Sequence, residues 1–258
     1  LENLPLSLRL IRNTHKILMT NVRGKYKTPG EFRSSQNWIG GSSLADAAFI
    51  PPHRDDLNDL LDDFEHFLHN ENIVIPHLVR CAIAHYQFET IHPFQDGNGR
   101  IGRLLITLYL ISNHLLIKPT LYLSDFFERH RGAYYDALSR VRESNDLGGW
   151  VLFFLEAVIE TAEKGKTTFH NILKLHINID NELTKLGKRT DNARKLLMHL
   201  YQSPVVNVRQ VESILGIKYY SANELIKALV DLNILQETTG FTRNRFFLFK
   251  KYIDVFKG

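Results

Sequence analysis

Segment after segment of this sequence repeats apolar residues at three-and-four spacing, a period that leaves little besides helices packed on helices. In RDDLNDLLDDFEHFLHN, the residues Leu57, Leu60, Leu61, Phe64, Phe67 and Leu68 share one face, with Asp and Glu opposite, which is the pattern of an amphipathic helix. Leu4, Leu8, Ile11, Ile17 and Leu18 repeat it over residues 4–21. Pro76 suits the first turn of a helix through HLVRCAIAHYQFETI, because a proline lacks only an N–H that has no partner there. Another helix follows DGNGR and continues to about His114. SDFFERHRGAYYDALSRVRES reads as a further helix, and GGWVLFFLEAVIETAEKGK as one apolar over most of its surface and therefore central. The expected class is mainly α.

Two stretches break the helical period. FRSSQNWIGGSSLADAAFIPP carries a Gly-Gly pair with serine flanks and ends at Pro51 and Pro52, so a hairpin or extended loop is expected over about 33–50. From near Asp191, three short helices precede a hairpin with Gly240 near its turn, an order that resembles a winged helix-turn-helix module. Its candidate recognition helix sets Lys227 against Glu224 and Asp231, and only Arg243, Arg245, Lys250 and Lys251 offer positive charge. A duplex reader needs Lys/Arg contacts to phosphate, so docking or dimerisation is favoured over DNA binding. The basic segment from Lys164 to Lys188 is expected to join the two parts as a helix.

The composition excludes several classes. With 258 residues and 44% hydrophobic side chains the chain can build an ordinary core, and 32 Lys+Arg against 28 Asp+Glu give a net charge of only +4 without a basic block. The single cysteine, Cys81, rules out an internal disulfide and makes a reducing compartment, the cytosol, the first expectation. The apolar run from Leu104 to Ile117 is interrupted by Thr107, Ser112, Asn113 and His114 and is shorter than the ~20 residues a membrane span needs. The sequence starts at Leu1 without the basic-then-apolar plan of a signal peptide, so a segment further upstream is expected.

The stretch IHPFQDGNGRIGRLL, residues 91–105, gathers a histidine, a carboxylate, two glycines around an asparagine and two arginines. Gly97 and Gly99 bracket Asn98 where a helix begins, so successive N–H groups can face an anion with no Cβ in the way. Arg100 and Arg103, three apart, share roughly one face and suit a polyphosphate. Asp96 beside phosphates calls for a cation, and Mg²⁺ held by one carboxylate plus phosphates and water answers that need. His92 can take a proton near neutral pH, while Pro93 and Phe94 stiffen and anchor the loop. A base, a metal carboxylate and an anion cradle describe phosphoryl or nucleotidyl transfer. Gly-Asn-Gly alone could be a turn and cap, and two arginines alone a solvated face. Eight specified positions in twelve residues have a chance frequency on the order of 10⁻¹⁰ per start site.

The string HPFQDGNGRIGR resembles the Fic-domain signature, His-x-Phe-x-Asp/Glu-Gly-Asn-Gly-Arg-x-x-Arg, at every specified position. FRSSQNWIGG, AFIPP, AHYQFETIHPF, YLSDFFERHRGAYYDAL and WVLFFLEAV look like its usual companions, so the resemblance covers roughly residues 1–165. It implies a Fic-type helical bundle with a small β-hairpin flap and a catalytic domain over 1–165 with its motif at 92–103; with the pattern read above, a helical linker is expected over 166–190 and the winged helix-turn-helix domain over 191–258. It implies transfer of AMP from ATP to a Tyr, Ser or Thr hydroxyl of a target protein. On that reading His92 is the base, Asp96 holds Mg²⁺, Gly97, Asn98 and Gly99 form the anion hole, and Arg100 and Arg103 bind the outer phosphates. Gly102 falls within the nucleotide-binding stretch. Tyr134 and Tyr135 fall at the adenine pocket, one against the base and the other in the core. Trp38, Ile39 and Gly40 lie on the flap, where the family aligns its target by strand addition; Trp38 could equally pack the hairpin down. The resemblance leaves open another phosphate-containing group, AMP removal, a nucleotide-sensing DNA-binding regulator, self-modification and a homodimer. The family's inhibitory Ser/Thr-x-x-x-Glu-Gly/Asn string is absent: SDFFER and SRVRES have the Ser-to-Glu spacing but end in Arg129 and Ser144.

His85 precedes His92 by seven residues, but His92 lies past the helix end beside Pro93 and no third ligand stands at metal spacing, so the pair is not read as a metal site. His66 and His69 lie on the polar side of an acidic helix and are expected in solvent.

Overall fold

A computed structural model describes residues 5–20, 28–241 and 244–256; Leu4 and Arg243 lie outside the described residues. The chain divides into two compact units, Leu1–Glu163 and Lys164–Gly258.

The first unit is helical. Helix α1 (Leu8–Met19) is capped by Ser7, whose hydroxyl accepts from the Leu10 N–H, while the Glu65 side chain accepts from the Leu8 N–H at 3.0 Å. In α2 (Leu57–His69) the expected stripe is the buried one, Leu57, Leu61, Phe64 and Leu68. His69 of that helix is exposed, yet its Nε2 lies 2.6 Å from the Leu6 carbonyl. Helix α3 (His77–Ile91) starts directly after Pro76 and packs along α4 (Asn98–Ser112). Both bury residues around much of their circumference, so the segment joining them is anchored at each end in the core.

The single helix expected over 124–144 is two, α5 (Ser124–Arg129) and α6 (Arg131–Ser144). The break falls at His130, whose N–H closes on the Phe126 carbonyl and whose ring stacks on Phe126 at 4.3 Å. It lets Phe126 and Phe127 of α5, and Tyr134 and Leu138 of α6, all reach one core. Helix α7 (Leu147–Leu183) begins in this unit. Trp150, Phe154 and Ala157 are fully buried and Trp150 Nε1 donates to the Ala82 carbonyl at 2.8 Å, whereas Leu152 is 70% and Ile159 60% exposed. The expectation of a helix buried over most of its surface is therefore corrected to one buried face.

The expected flap hairpin is reduced to a single antiparallel bridge between Ile39 and Phe49. Gly40 and Gly41 both take positive φ, and Asp46 gathers the N–H and hydroxyl groups of Ser42 and Ser43. That tight turn leaves one residue pair in register. Its hydrogen bonds hold the Asp46 carboxyl well below the usual range.

The second unit contains the C-terminal part of α7, a 3₁₀ turn (Thr184–Arg189), α8 (Thr190–Leu200), β1 (Val205–Asn207), α9 (Val208–Leu215), α10 (Tyr219–Asp231), β2 (Gln236–Glu237), β3 (Phe246–Leu248) and α11 (Lys250–Asp254). The linker is helical to Leu183, with Gly187 at non-helical angles beyond it. Strand order is β1-β3-β2, antiparallel, with Val206 opposite Phe247 and Glu237 opposite the same residue on the other side. Asn207 and Gln210 form a reciprocal capping box at α9. The core unites Leu196, Leu200, Val211, Leu225, Leu229 and Phe249. Strand β1, at QSPVVN, was not foreseen: three residues are too few to show a period.

Among the described residues no helix is long and apolar enough to cross a membrane.

Candidate active site

The loop between α3 and α4 is built from the backbone outward. His92 ends α3 in the left-handed region, φ 50° and ψ 59°, with its N–H on the Phe88 carbonyl. A non-glycine residue there carries strain of about 1–3 kcal/mol. Contacts from the flap root hold it: the His92 carbonyl accepts from Arg33 Nε at 3.2 Å and from Asn37 Nδ2 at 3.3 Å. Arg33 is itself 3% exposed, and its Nη2 donates to the Pro52 carbonyl at 2.6 Å.

Phe94 is fully buried and its ring stacks on His15 at 3.8 Å. Its N–H donates to Asn98 Oδ1 at 2.8 Å, and its carbonyl accepts from Asn98 Nδ2 at 2.6 Å and Asn37 Nδ2 at 3.0 Å. The Asn98 side chain is thus consumed in closing the loop, and only its backbone N–H remains to face an anion. His15 accepts the Gly30 N–H at Nδ1, which leaves Nε2 protonated to donate to the Asp96 carbonyl at 3.0 Å. Burial holds that ring neutral by lowering its pKa.

Gly97 is the N-cap of α4, at φ 81°, and a Cβ there would meet Met19 Sδ at 3.0 Å. No side chain caps this helix. The first intrahelical bond is Ile101 N–H to the Gly97 carbonyl, so the N–H groups of Asn98, Gly99 and Arg100 have no helical acceptor and, with the macrodipole, attract negative charge. Asp96 Oδ1 accepts from the Gly97 N–H at 2.7 Å and lies 3.9 Å from Arg100 Nη2. Both side chains are well exposed, and such a pair contributes little to stability.

Arg103 opens onto a cavity of about 300 Å³ that Tyr122, Arg131, Tyr134 and Tyr135 also line. A neighbouring space of about 470 Å³ adds Arg100, Leu104 and Pro119 to Arg103 and Tyr122. Of the two tyrosines, Tyr134 is 4% exposed with its hydroxyl on His85 Nε2 at 2.9 Å, and Tyr135 is 47% exposed. His85 is a core histidine. Its Nδ1 sits 2.9 Å from the Gly102 carbonyl, and burial lowers its pKa to about 4. Gly102 faces α3, where an added Cβ would lie 2.1 Å from Glu89 Oε1. It is a packing contact and has no room for a nucleotide.

Burial also lowers the His92 pKa, to about 4, with Arg142 and Arg33 adding to the effect while the Glu89 carbonyl and Asp96 oppose it. His92 Nδ1 is buried without a hydrogen-bond partner. The resting ring is therefore neutral, able to accept a proton. On the flap Trp38 is 40% exposed and Gly40 takes φ 72°. The flap's Phe49 ring lies 3.6 Å under the Arg142 guanidinium, which ties the bridge to α6.

Sequence reasoning singled out the loop but missed His15, Arg33, Asn37 and Glu89. The contacts of the first three join positions up to 81 residues apart, and only an unusually polar stretch such as FRSSQN could have flagged two of them. A larger cavity, about 840 Å³, lies in the second unit beside Asn207, Arg209, Glu212, Tyr219 and Arg245. It brings no base together with an anion cradle.

Residues 5–110 match the model of the Fic/DOC family. Protein adenylyltransferase Fic of Aedes aegypti is 36% identical over 135 residues, covering 52% of this chain and 24% of that protein. The protein of the same name from Drosophila virilis is 32% identical over 163 residues, 63% of this chain and 30% of that protein. The chain thus spans about a quarter of the length of these curated relatives. A Fic family protein from Desulfovibrio desulfuricans G20 superposes with a TM-score of 0.56 at 23% identity, over 94% of this chain and 68% of that one. A Fic domain containing signaling protein from Bacteroides thetaiotaomicron gives 0.50 at 19%, over 64% and 63%. These two likenesses concern the fold.

Proposed function

We propose that this chain, which carries a Fic/DOC-family domain over residues 5–110, is a protein adenylyltransferase that moves AMP from ATP to a Tyr, Ser or Thr hydroxyl of a target protein. The carrying observation is the loop itself: a neutral histidine locked in the left-handed region, followed by three helix N–H groups without acceptors and by Arg100 and Arg103. The names of the curated relatives support the same reading.

In this reaction the target oxygen forms a bond to the α-phosphorus, the bond to the bridging β-oxygen breaks, and pyrophosphate leaves. His92 receives the hydroxyl proton. Its low resting pKa keeps it free to accept, and the approaching phosphate charge raises its basicity at the moment of use. Asn98, Gly99 and Arg100 offer backbone N–H groups to the phosphates, beside Gly97, whose own N–H is held by Asp96, and the Arg100 and Arg103 side chains hold the outer charge. Tyr135 is the exposed tyrosine available to the base, with Tyr134 behind it in the core.

Among the described residues no three His, Cys, Asp or Glu side chains converge, and the cradle offers the single exposed carboxylate of Asp96. That donor set fits Mg²⁺, which prefers one or two carboxylates with phosphate and water over an all-protein cage. Bound there, magnesium would neutralise charge on the nucleotide's phosphates.

Trp38, Ile39 and Gly40 would receive the target segment beside the Ile39–Phe49 bridge. The elements α8 to β3 would serve as a winged helix-turn-helix domain for docking or dimerisation. In support, Lys227 of α10 is paired to Glu224 at 2.8 Å, leaving little positive charge for a duplex. Buried, unpaired Cys81 suits a cytoplasmic protein.

The test is incubation with Mg²⁺ and ATP labelled at the α or γ phosphate, wild type beside His92→Ala. Label entering protein from the α position alone, and lost in the variant, is the expected result. Entry from the γ position would make the chain a kinase and overturn the reading.

A further inference from the structure

Glu89 has no part in the chemistry above, yet it sits directly behind the cradle. It lies one turn before His92 on α3, is 6% exposed, and its Oε1 has no hydrogen-bond partner. The carboxylate fits a slot left by two glycines of α4. A Cβ on Gly102 would lie 2.1 Å from Oε1, and a Cβ on Gly99 would lie 4.0 Å from Oε1 and 3.3 Å from Arg103 Nη1. The carboxylate and the Arg103 guanidinium therefore flank the same glycine of the first turn, whose N–H groups face outward.

The charged and titratable groups around Glu89 come from each packed element. Arg103 faces it from α4, Arg142 and the Tyr134 hydroxyl from α6, and on α3 itself neutral His85 binds both the Gly102 carbonyl and Tyr134. Two arginines thus face one acid, but neither closes an ion pair with it.

We propose that Glu89 is a positioning residue for Arg103 and the internal site where a proton is taken up when polyphosphate occupies the cradle. The inference rests on the cradle reading above. Burial without a partner already raises the Glu89 pKa to about 7, against the pull of Arg103 and Arg142. A polyanion seated on the α4 N-terminus brings negative charge to the same turn and engages Arg103, and both changes disfavour the ionised carboxylate. A proton then moves from solvent to Glu89. By reciprocity, protonated Glu89 frees Arg103 and tightens polyphosphate binding.

The probe is inorganic tripolyphosphate with Mg²⁺, which reads the cradle whatever the donor nucleotide. Calorimetric titration at pH 7 in two buffers of different ionisation enthalpy measures proton uptake for wild type, Glu89→Gln and Glu89→Asp. Wild type is expected to take up as much as half a proton, on the order of 0.5, more than Glu89→Gln. The wild-type to Glu89→Gln affinity ratio should fall by up to about tenfold from pH 6 to pH 8, and Glu89→Asp should keep the linkage. Equal uptake with parallel pH profiles overturns the role of Glu89 while leaving the cradle intact. Absence of tripolyphosphate binding overturns the cradle reading and this inference together. If Glu89→Gln fails to fold, the wild-type profile, corrected for titration of free tripolyphosphate, must still break near pH 7, and a featureless profile refutes the proposal.

Discussion

Truncating Asn98 separates the two tasks that sequence inspection merges at Gly-Asn-Gly. Asn98→Ala removes the bonds of Asn98 to the Phe94 N–H at 2.8 Å and the Phe94 carbonyl at 2.6 Å. The carbonyl keeps Asn37 Nδ2 at 3.0 Å, so that loss amounts to an ordinary bond, about 1 kcal/mol. The Phe94 N–H is left buried without an acceptor, at about 1–3 kcal/mol. Together they destabilise the first unit by roughly 2–4 kcal/mol. Both tryptophans of the chain, Trp38 and Trp150, belong to that unit, so their fluorescence during urea unfolding reports it selectively. At a slope of about 2 kcal/mol per molar the midpoint should fall by about 1–2 M. Transfer of α label should fall by about 100-fold or more, since a displacement of His92 on the order of 1 Å is enough. A midpoint shift under about 0.3 M would mean that the loop does not depend on this ring of bonds.

Two further outcomes test the interior behind the site. Gly102→Ala should cost about 1–3 kcal/mol by overpacking, and Glu89→Ala should relieve most of that, giving strong coupling in a double-mutant cycle; additivity within about 0.5 kcal/mol would place the carboxylate elsewhere. His85 is held at about 4 by burial against an unfolded value near 6.5, so its contribution is fully present above pH 6.5 and is lost as pH falls toward 4. His85→Gln should flatten that acid limb of the fluorescence-detected stability curve by on the order of 2–3 kcal/mol; an unchanged limb would refute the assignment.

What could be read in advance follows the range of the interactions. The α2 stripe lies within one helix, and burial selects the same Leu57, Leu61, Phe64 and Leu68. Gly97 announces a turn because positive φ is a local demand. The break at His130 depends on where Phe126, Phe127, Tyr134 and Leu138 must meet one core, and helical propensity carries no trace of that. Strand β1 exists because Val206 pairs with Phe247, 41 residues away. In the candidate site the residues singled out from sequence are contiguous, and the structure places them on one loop and helix start. The groups that hold them, His15, Arg33, Asn37 and Glu89, act across folded distance, and a polar residue inside a helix or loop looks the same whether it faces solvent or a buried carbonyl. Asn98 shows the limit from the other side. The motif asks only for its backbone N–H, and the task of its side chain, holding Phe94, is not written in the spacing.

The left-handed His92 has a consequence for how such a site drifts under selection. A glycine at that position would adopt φ 50° without steric cost, while an alanine would keep the strain and lose only the ring. Replacement by glycine is therefore the change that relaxes the fold, and under the proposed proton transfer the histidine persists only where its reactivity outweighs a standing pressure toward a more stable, inert chain.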